Sequence, residues 1–464
     1  MKSNLIKCAS ALAVLSCLAP ACSNSDSGST TTAAAVTTTG VPTSDTGGSE
    51  PSTTAASSDR DVFKPITGVP GVSDKEIGYA VIGTRSNNPL GTCILDCYLD
   101  GIKAYFAFRN SEGGIYGRQL AVNQEIDDEL ANNQARALDI VSNNKSFGSF
   151  NATLLSSGWG DLESAGIPTY TWGIQPADSA DRLHIFPSIA TMCSGGCTSH
   201  LMPYAAKSAG AKHVGALGYG VTENSKTCVA GYKNSVTKYP EGGADVAYFN
   251  DNLAFGLPNG IGPEVTAMKA ANVDFIATCL DLNAMKTLAQ ELHRQGMDNV
   301  TLYHPNTYNQ QFVTDADPLF EGDFVSVGFL PFEADTAGTT LGEFLTWMEK
   351  AGKTPSELAM VGWINASVAF GGLIAAGPEF DRQKVTDATN ALTADTAGGL
   401  LKPINWSTDH APYTDSTRPA DKQGECVTLV RVTKGKFVTV APPATPWMCW
   451  PSIEWSDPEF KAFK

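Results

Sequence analysis

The stretch KEIGYAVIGTRSNNPLG, residues 75–91, decides the fold. Its first half is a continuous apolar run closed by Gly83, the pattern of a strand buried on both faces. Thr84 to Thr92 then reads as a loop, and Leu99, Ile102, Tyr105 and Phe106 follow at helical spacing. Strand, loop and helix in that order make half of a βαβ unit. The same order continues outward through a strand over 119–126, a helix over 131–142 carrying Ala135, Leu138 and Val141, and a strand over 145–150. This alternation implies a parallel sheet covered by helices on both faces.

A second round begins near Lys212. Strands are expected over 214–218, 245–249, 273–278 and 299–303, separated by a helix through Cys228 and Tyr232 and by helices over 262–271 and 283–295. Helices follow over 341–351, 357–376 and 381–392, and the hairpin CVTLVRVTKGKFVTV (426–440) turns at Lys434-Gly435. From about Ser73 to Lys464 the chain is longer than one hydrophobic core normally serves. The expected fold is therefore α/β, with two doubly wound parallel-sheet lobes.

The N-terminus has a different composition. Lys2 and Lys7 precede an apolar run from Cys8 to Ala21, too short to span a bilayer but suited to a secretory signal. Small Ala21 before Cys22 resembles the lipobox of bacterial lipoproteins, in which the new N-terminal cysteine carries lipid; Cys17, after Val14-Leu15-Ser16, competes for that role. With Cys22 lipidated and Cys8 and Cys17 removed, eight of the eleven cysteines remain, an even set that suits an exported chain. From Ser23 to about Asp61 there are too few large apolar side chains to offset chain entropy, so the tract reads as a flexible tether. We expect a signal over 1–21, a linker over 22–72, and an extracytoplasmic protein lipid-anchored at the cell membrane. A formal net charge of −16 argues against nucleic acid or a polyanionic surface as partner.

Several segments together resemble one family. They are IGYAVIGTRSNNPLG, GGIYGRQLAV, Asp127-Asp128, SAGIPTYTWG at 164–173, FGLPNGIGPEVTAMKAANVDFIATCLD, LHRQG ending at Gly296, and KGKFVTV. Their order and spacing, across most of residues 74–441, resemble the solute receptors of ABC importers typified by the leucine/isoleucine/valine-binding protein, the type I periplasmic-binding-protein fold. The resemblance implies two lobes joined by three crossings, closing on a solute and passing it to a membrane permease driven by an ATPase. Lobe 1 would comprise 74–188 with 332–422, and lobe 2 would comprise 189–331 with 423–464. A monomer without cofactor or metal is expected.

Binding residues then belong on loops at the carboxyl ends of strands. By resemblance these are Ser86 and Asn88 in the first loop, Asn151 and Thr153 in FNATLL, Thr171, Trp172 and Gly173 in TYTWG, Tyr219, Asp281, and Asn306 with Tyr308. Bland readings stand beside them: Thr153, Asn151 and Asp281 as helix caps, and Tyr219, Trp172 and Tyr308 as core. Pro305 is followed by Asn306, where amino-acid receptors often carry an acidic partner for the α-ammonium. An amino acid, a neutral amide, a urea-like solute and an aromatic compound all stay open.

Proximity pairs Cys93 with Cys97, Cys193 with Cys197, Cys228 with Cys279, and Cys426 with Cys449, one of many connectivities eight cysteines allow. CSGGCTSH (193–200) has a zinc-like look but lacks a fourth ligand nearby. Two rival classes are a ligand-sensing receptor module of the same fold and a secreted enzyme. For the enzyme, no G-x-S-x-G, H-E-x-x-H or phosphate-loop motif occurs, and the six histidines, at 184, 200, 213, 293, 304 and 410, are scattered without an obvious paired carboxylate.

Overall fold

The computed structural model describes residues 60–189, 192–305 and 307–458. The signal segment, Cys17, Cys22, the tether as far as residue 59, and Asn306 lie outside the described residues. The strand that opens KEIGYAVIG is β1 (Glu76–Gly83), buried from Ile77 to Gly83. After it come α1 (Leu95–Ser111), β2 (Gln119–Asp127), α2 (Asn133–Asn143), β3 (Gly148–Ala152), α3 (Trp159–Ser164), β4 (Thr169–Thr171), α4 (Pro176–Ser179) and β5 (Ile185–Pro187). These strands form a five-stranded sheet in the order β2-β1-β3-β4-β5, and every pair is parallel.

The next run supplies a second sheet. It contains α5 (Leu201–Ser208), β6 (His213–Tyr219), α6 (Glu223–Lys238), β7 (Asp245–Leu253), α7 (Gly262–Ala270), β8 (Phe275–Cys279), α8 (Leu282–Arg294), β9 (Thr301–His304), α9 (Gln310–Asp315) and β10 (Phe324–Val327). Helices α10 (Leu341–Lys350), α11 (Glu357–Ala376) and α12 (Arg382–Asn390) follow, before β11 (Glu425–Thr433), β12 (Lys436–Thr439) and β13 (Met448–Trp450). The order is β12-β11-β10-β9-β8-β6-β7, with β13 on β11. This sheet is parallel from β7 to β10 and antiparallel beyond; between β11 and β12 the Lys434-Gly435 turn, a two-residue connection, can only join antiparallel strands. Since α10 and α11 pack on α1, the chain passes between the sheets three times.

Helix α11 is long and apolar enough to cross a membrane, yet it is a core helix. Every residue from Leu358 to Phe370 is buried, as expected for a helix apolar all round and wrapped by protein. It touches α1 backbone to backbone. A Cβ at Gly101 would overlap the Ala359 carbonyl, and one at Gly362 the Tyr98 carbonyl.

The end of the expected linker is docked. The fully buried Arg118 guanidinium donates to the carbonyls of Lys64 (2.7 Å), Ser73 (2.7 Å) and Tyr116 (3.1 Å), with Phe63 4.6 Å from its carbon. Disulfides join Cys93 to Cys97, Cys193 to Cys197, Cys228 to Cys279, and Cys426 to Cys449.

Four of the histidines do sit on carboxylates. The pairs are His184 with Glu163 (2.9 Å), His200 with Glu425 (3.1 Å), His213 with Asp245 (2.9 Å) and His293 with Asp298 (2.5 Å). Most of these partners are distant in sequence, which hid them. His200 is also stacked between Tyr239 and Trp450, at ring distances of 4.5 and 5.2 Å, so it serves as a pin for the C-terminal segment.

Candidate functional site

The carboxyl ends of the central parallel strands in both sheets gather most of the expected residues. In the loop after β1, Arg85 and Ser86 donate backbone N–H groups to Asp127 at the end of β2, at 3.0 Å each. Burial alone would raise the Asp127 pKa, but these donors and those of the Ser86 side chain and the Glu129 backbone hold it below the usual carboxylate range. Asn88 folds its amide back on the loop, donating to the Thr92 carbonyl (2.8 Å) and accepting from Leu90 N–H (3.0 Å). Ser86 is exposed and Asn88 half-buried.

At the end of β3, buried Asn151 accepts the Thr153 hydroxyl at 2.9 Å, and Thr153 also meets Ser156 Oγ at 2.5 Å. Neither side chain caps the next helix. The Asn151 Nδ2 group is buried with no protein partner, a donor free for an acceptor group of a guest. The next strand end is stitched to it: Trp172 N–H and Thr171 Oγ1 both bond the Asn151 carbonyl, at 3.0 and 3.1 Å. Trp172 is half-buried, and beside Gly173 a Cβ would meet open space.

In the second sheet, Tyr219 ends β6 and Asp281 follows β8. The Tyr219 hydroxyl donates to Asp281 Oδ2, while Asp281 Oδ1 caps α8 by accepting Ala284 N–H at 3.1 Å. Asp281 is therefore a helix cap and a partner of Tyr219 together. Burial, and then this carboxylate, push the Tyr219 hydroxyl pKa up. Its ring sits edge-on to Phe255 at 5.2 Å.

Tyr308 stacks on Phe332 at 4.9 Å, donates its hydroxyl to Glu333 Oε2 at 2.6 Å, and accepts Phe332 N–H at 2.7 Å. The β10 to α10 crossing thus closes on Tyr308. Glu333 and Glu357 both titrate high because of burial, Glu357 at about 8 despite the opposing Tyr308 backbone hydrogen bond. Sequence reasoning missed Glu333, Glu357, Phe255 and Phe332. Phe255 opens the FGLPNG stretch just after β7, whereas Glu333, Glu357 and Phe332 lie outside the strand-end motifs, and only the crossing brings Glu333 to Tyr308.

Two surface grooves lie away from the expected residues themselves, although one takes in Asp127, the anchor of the loop after β1. One is lined by Gln124, Asp127, Arg136 and Asp139, and the other by Asp181, Asn390, Trp406 and His410; neither includes a residue of the candidate set. Among the described residues no cluster of three or more metal-ligating side chains occurs.

Two parallel-sheet halves with loops meeting at strand ends define a solute-receptor architecture. The family profile described as "Periplasmic binding protein" matches residues 92–436, and the chain belongs to that family. It is accordingly an extracytoplasmic substrate-binding protein. No curated protein matches the chain. Among solved structures it is similar to an ABC-transporter solute-binding protein of R. palustris in complex with benzoate, at 18% identity and TM-score 0.62, covering 80% of this chain and 97% of that one. It is also similar to a branched-chain amino acid ABC transporter protein of Thermus thermophilus with bound valine, at 15% identity and TM-score 0.62, covering 84% and 97%. A third is a fatty acid ABC transporter substrate-binding protein from Thermomonospora curvata, at 19% identity and TM-score 0.60, covering 80% and 94%. These likenesses describe the fold.

Proposed function

We propose that this chain is the solute-binding subunit of an ABC importer, tethered by lipid on Cys22, acting as a monomer that closes two lobes on a small polar or aromatic solute and delivers it to a permease. The lobes are 74–188 with 332–422, and 189–331 with 423–464. The solute contacts Ser86, Asn88, Asn151, Thr153, Thr171 to Gly173, Tyr219, Asp281, Asn306 and Tyr308. The four disulfides belong to the mature exported protein. The chain hydrolyses nothing itself.

One observation carries this reading: loops from the carboxyl ends of both parallel sheets meet, with an unpartnered buried amide donor on Asn151 among them. The similar solved proteins bind valine, benzoate and, by description, fatty acid, so a carboxylate-bearing solute heads the search. The test is thermal melting against leucine, valine, benzoate, octanoate, acetamide and urea. One class should raise the melting temperature, and at 100 times its dissociation constant it adds about 2.7 kcal/mol. A flat response to every compound, together with turnover of any of them, overturns the proposal.

A further inference from the structure

The loop after β1 reaches the second sheet. The Pro89 carbonyl accepts Asn283 Nδ2–H at 3.0 Å, and the Leu90 carbonyl accepts Asn283 N–H at 3.4 Å. Asn283 stands in the first turn of α8, two residues after the Tyr219-bonded Asp281, and is 194 residues from Pro89 in sequence. Both partners lie at strand carboxyl ends, one in each sheet, so these bonds span the gap in which a solute would sit. The side chain of Asn283 is exposed, so core packing does not explain its position.

Gly91 completes the fit. It adopts φ +72°, and a Cβ there would lie 2.5 Å from Asn283 Oδ1 and 2.8 Å from its Cγ. Only glycine leaves room for the amide against the loop. The loop is stiff on its own side, through the Asn88 bonds, the Asp127 anchor, and the Cys93–Cys97 disulfide that binds its base to the first turn of α1. A rigid hook thus meets one side chain of the opposite half.

We propose that Asn283, seated against Gly91 and the Pro89 and Leu90 carbonyls, is a latch that holds the lobes closed and so a positioning residue for solute retention. The proposal rests on the two-lobe binding reading. Its bonds exist only when the halves meet, so their free energy favours the closed population and acts on solute release more than on entry.

The test compares the native chain with Asn283→Ala and Asn283→Ser. Without solute, amide exchange across residues 84–92 should quicken about threefold or more, and the radius of gyration from X-ray scattering should rise. The melting temperature should stay within about 2 °C, since an exposed side chain is lost. Asn88→Ala, which loosens the loop from within, should speed exchange and leave scattering unchanged. With valine or benzoate, whichever stabilises the native chain, release should quicken roughly five- to tenfold at a nearly constant association rate. Native exchange and scattering in both Asn283 variants would overturn the latch. If neither solute stabilises the native chain while the variants still scatter as larger particles, the latch stands and the solute assignment falls.

Discussion

The Tyr219 hydroxyl and the Asp281 carboxylate satisfy one another in a buried position, so a substitution at either reports on folding as well as on binding. Tyr219→Phe keeps the ring beside Phe255 but leaves Asp281 Oδ2 without its donor. It should cost about 1–3 kcal/mol in chemical denaturation. Thr153 is the cleaner probe, being a small side chain whose partners are two other polar groups. Thr153→Ala should weaken solute binding about tenfold while costing about 1 kcal/mol of stability. Unchanged affinity removes Thr153 from the site. A pH effect belongs to His184 and Glu163, 2.9 Å apart and largely shielded from water. The Glu163 hydrogen bond raises the His184 pKa, so that contribution is complete below pH about 6.5 and fades as pH rises through the raised value. Burial would raise the Glu163 pKa, but His184 brings it below its usual value, so its contribution is complete above pH about 4.5 and fades as pH falls through the lowered value. Glu163→Gln should therefore lose about 1–2 kcal/mol near pH 5.5, and less at pH 3 and pH 9, when melting is followed across pH.

Helix α11 is expected from the sequence only as a helix over 357–376, and its role as a core helix was set by its neighbours. Where it crosses α1, Gly101 and Gly362 remove the side chains that would hold the backbones apart. Gly101→Ala should cost about 3 kcal/mol or more, because a backbone carbonyl rather than a flexible side chain blocks the methyl group. Urea unfolding measures this, and a cost under about 0.5 kcal/mol would disprove the crossing as described. Most strands of the parallel core were legible because a strand buried on both faces is written as a continuous apolar run, as in Ile77–Gly83. Short strands such as β5, β10 and β13 were not. Three or four residues carry no period of their own, and pairing with a neighbour makes them strands.

Across the whole molecule, the chain crosses between sheets three times and is stapled within each half by disulfides. Cys228–Cys279 closes the longest loop of the four, with a separation of 51 residues, tying α6 to the end of β8 just before Asp281. In the chain-entropy picture it contributes about 4 kcal/mol. Replacing both cysteines with serine should lower the melting temperature and loosen the Tyr219–Asp281 edge in hydrogen exchange, and an unaltered melt would contradict this. By its order of apolar runs, glycines and turns, the sequence alone determined two α/β halves, the strand-end loops, and the cysteines available for pairing. Those are local or periodic properties, carried by neighbours along the chain. Tertiary structure alone decided that Asp281 meets Tyr219, that Glu333 and Phe332 close on Tyr308, and that Asn283 reaches Pro89. Each of these contacts joins residues that only the packed sheets and the crossings between them bring within hydrogen-bonding distance, and no pattern along the chain encodes that distance.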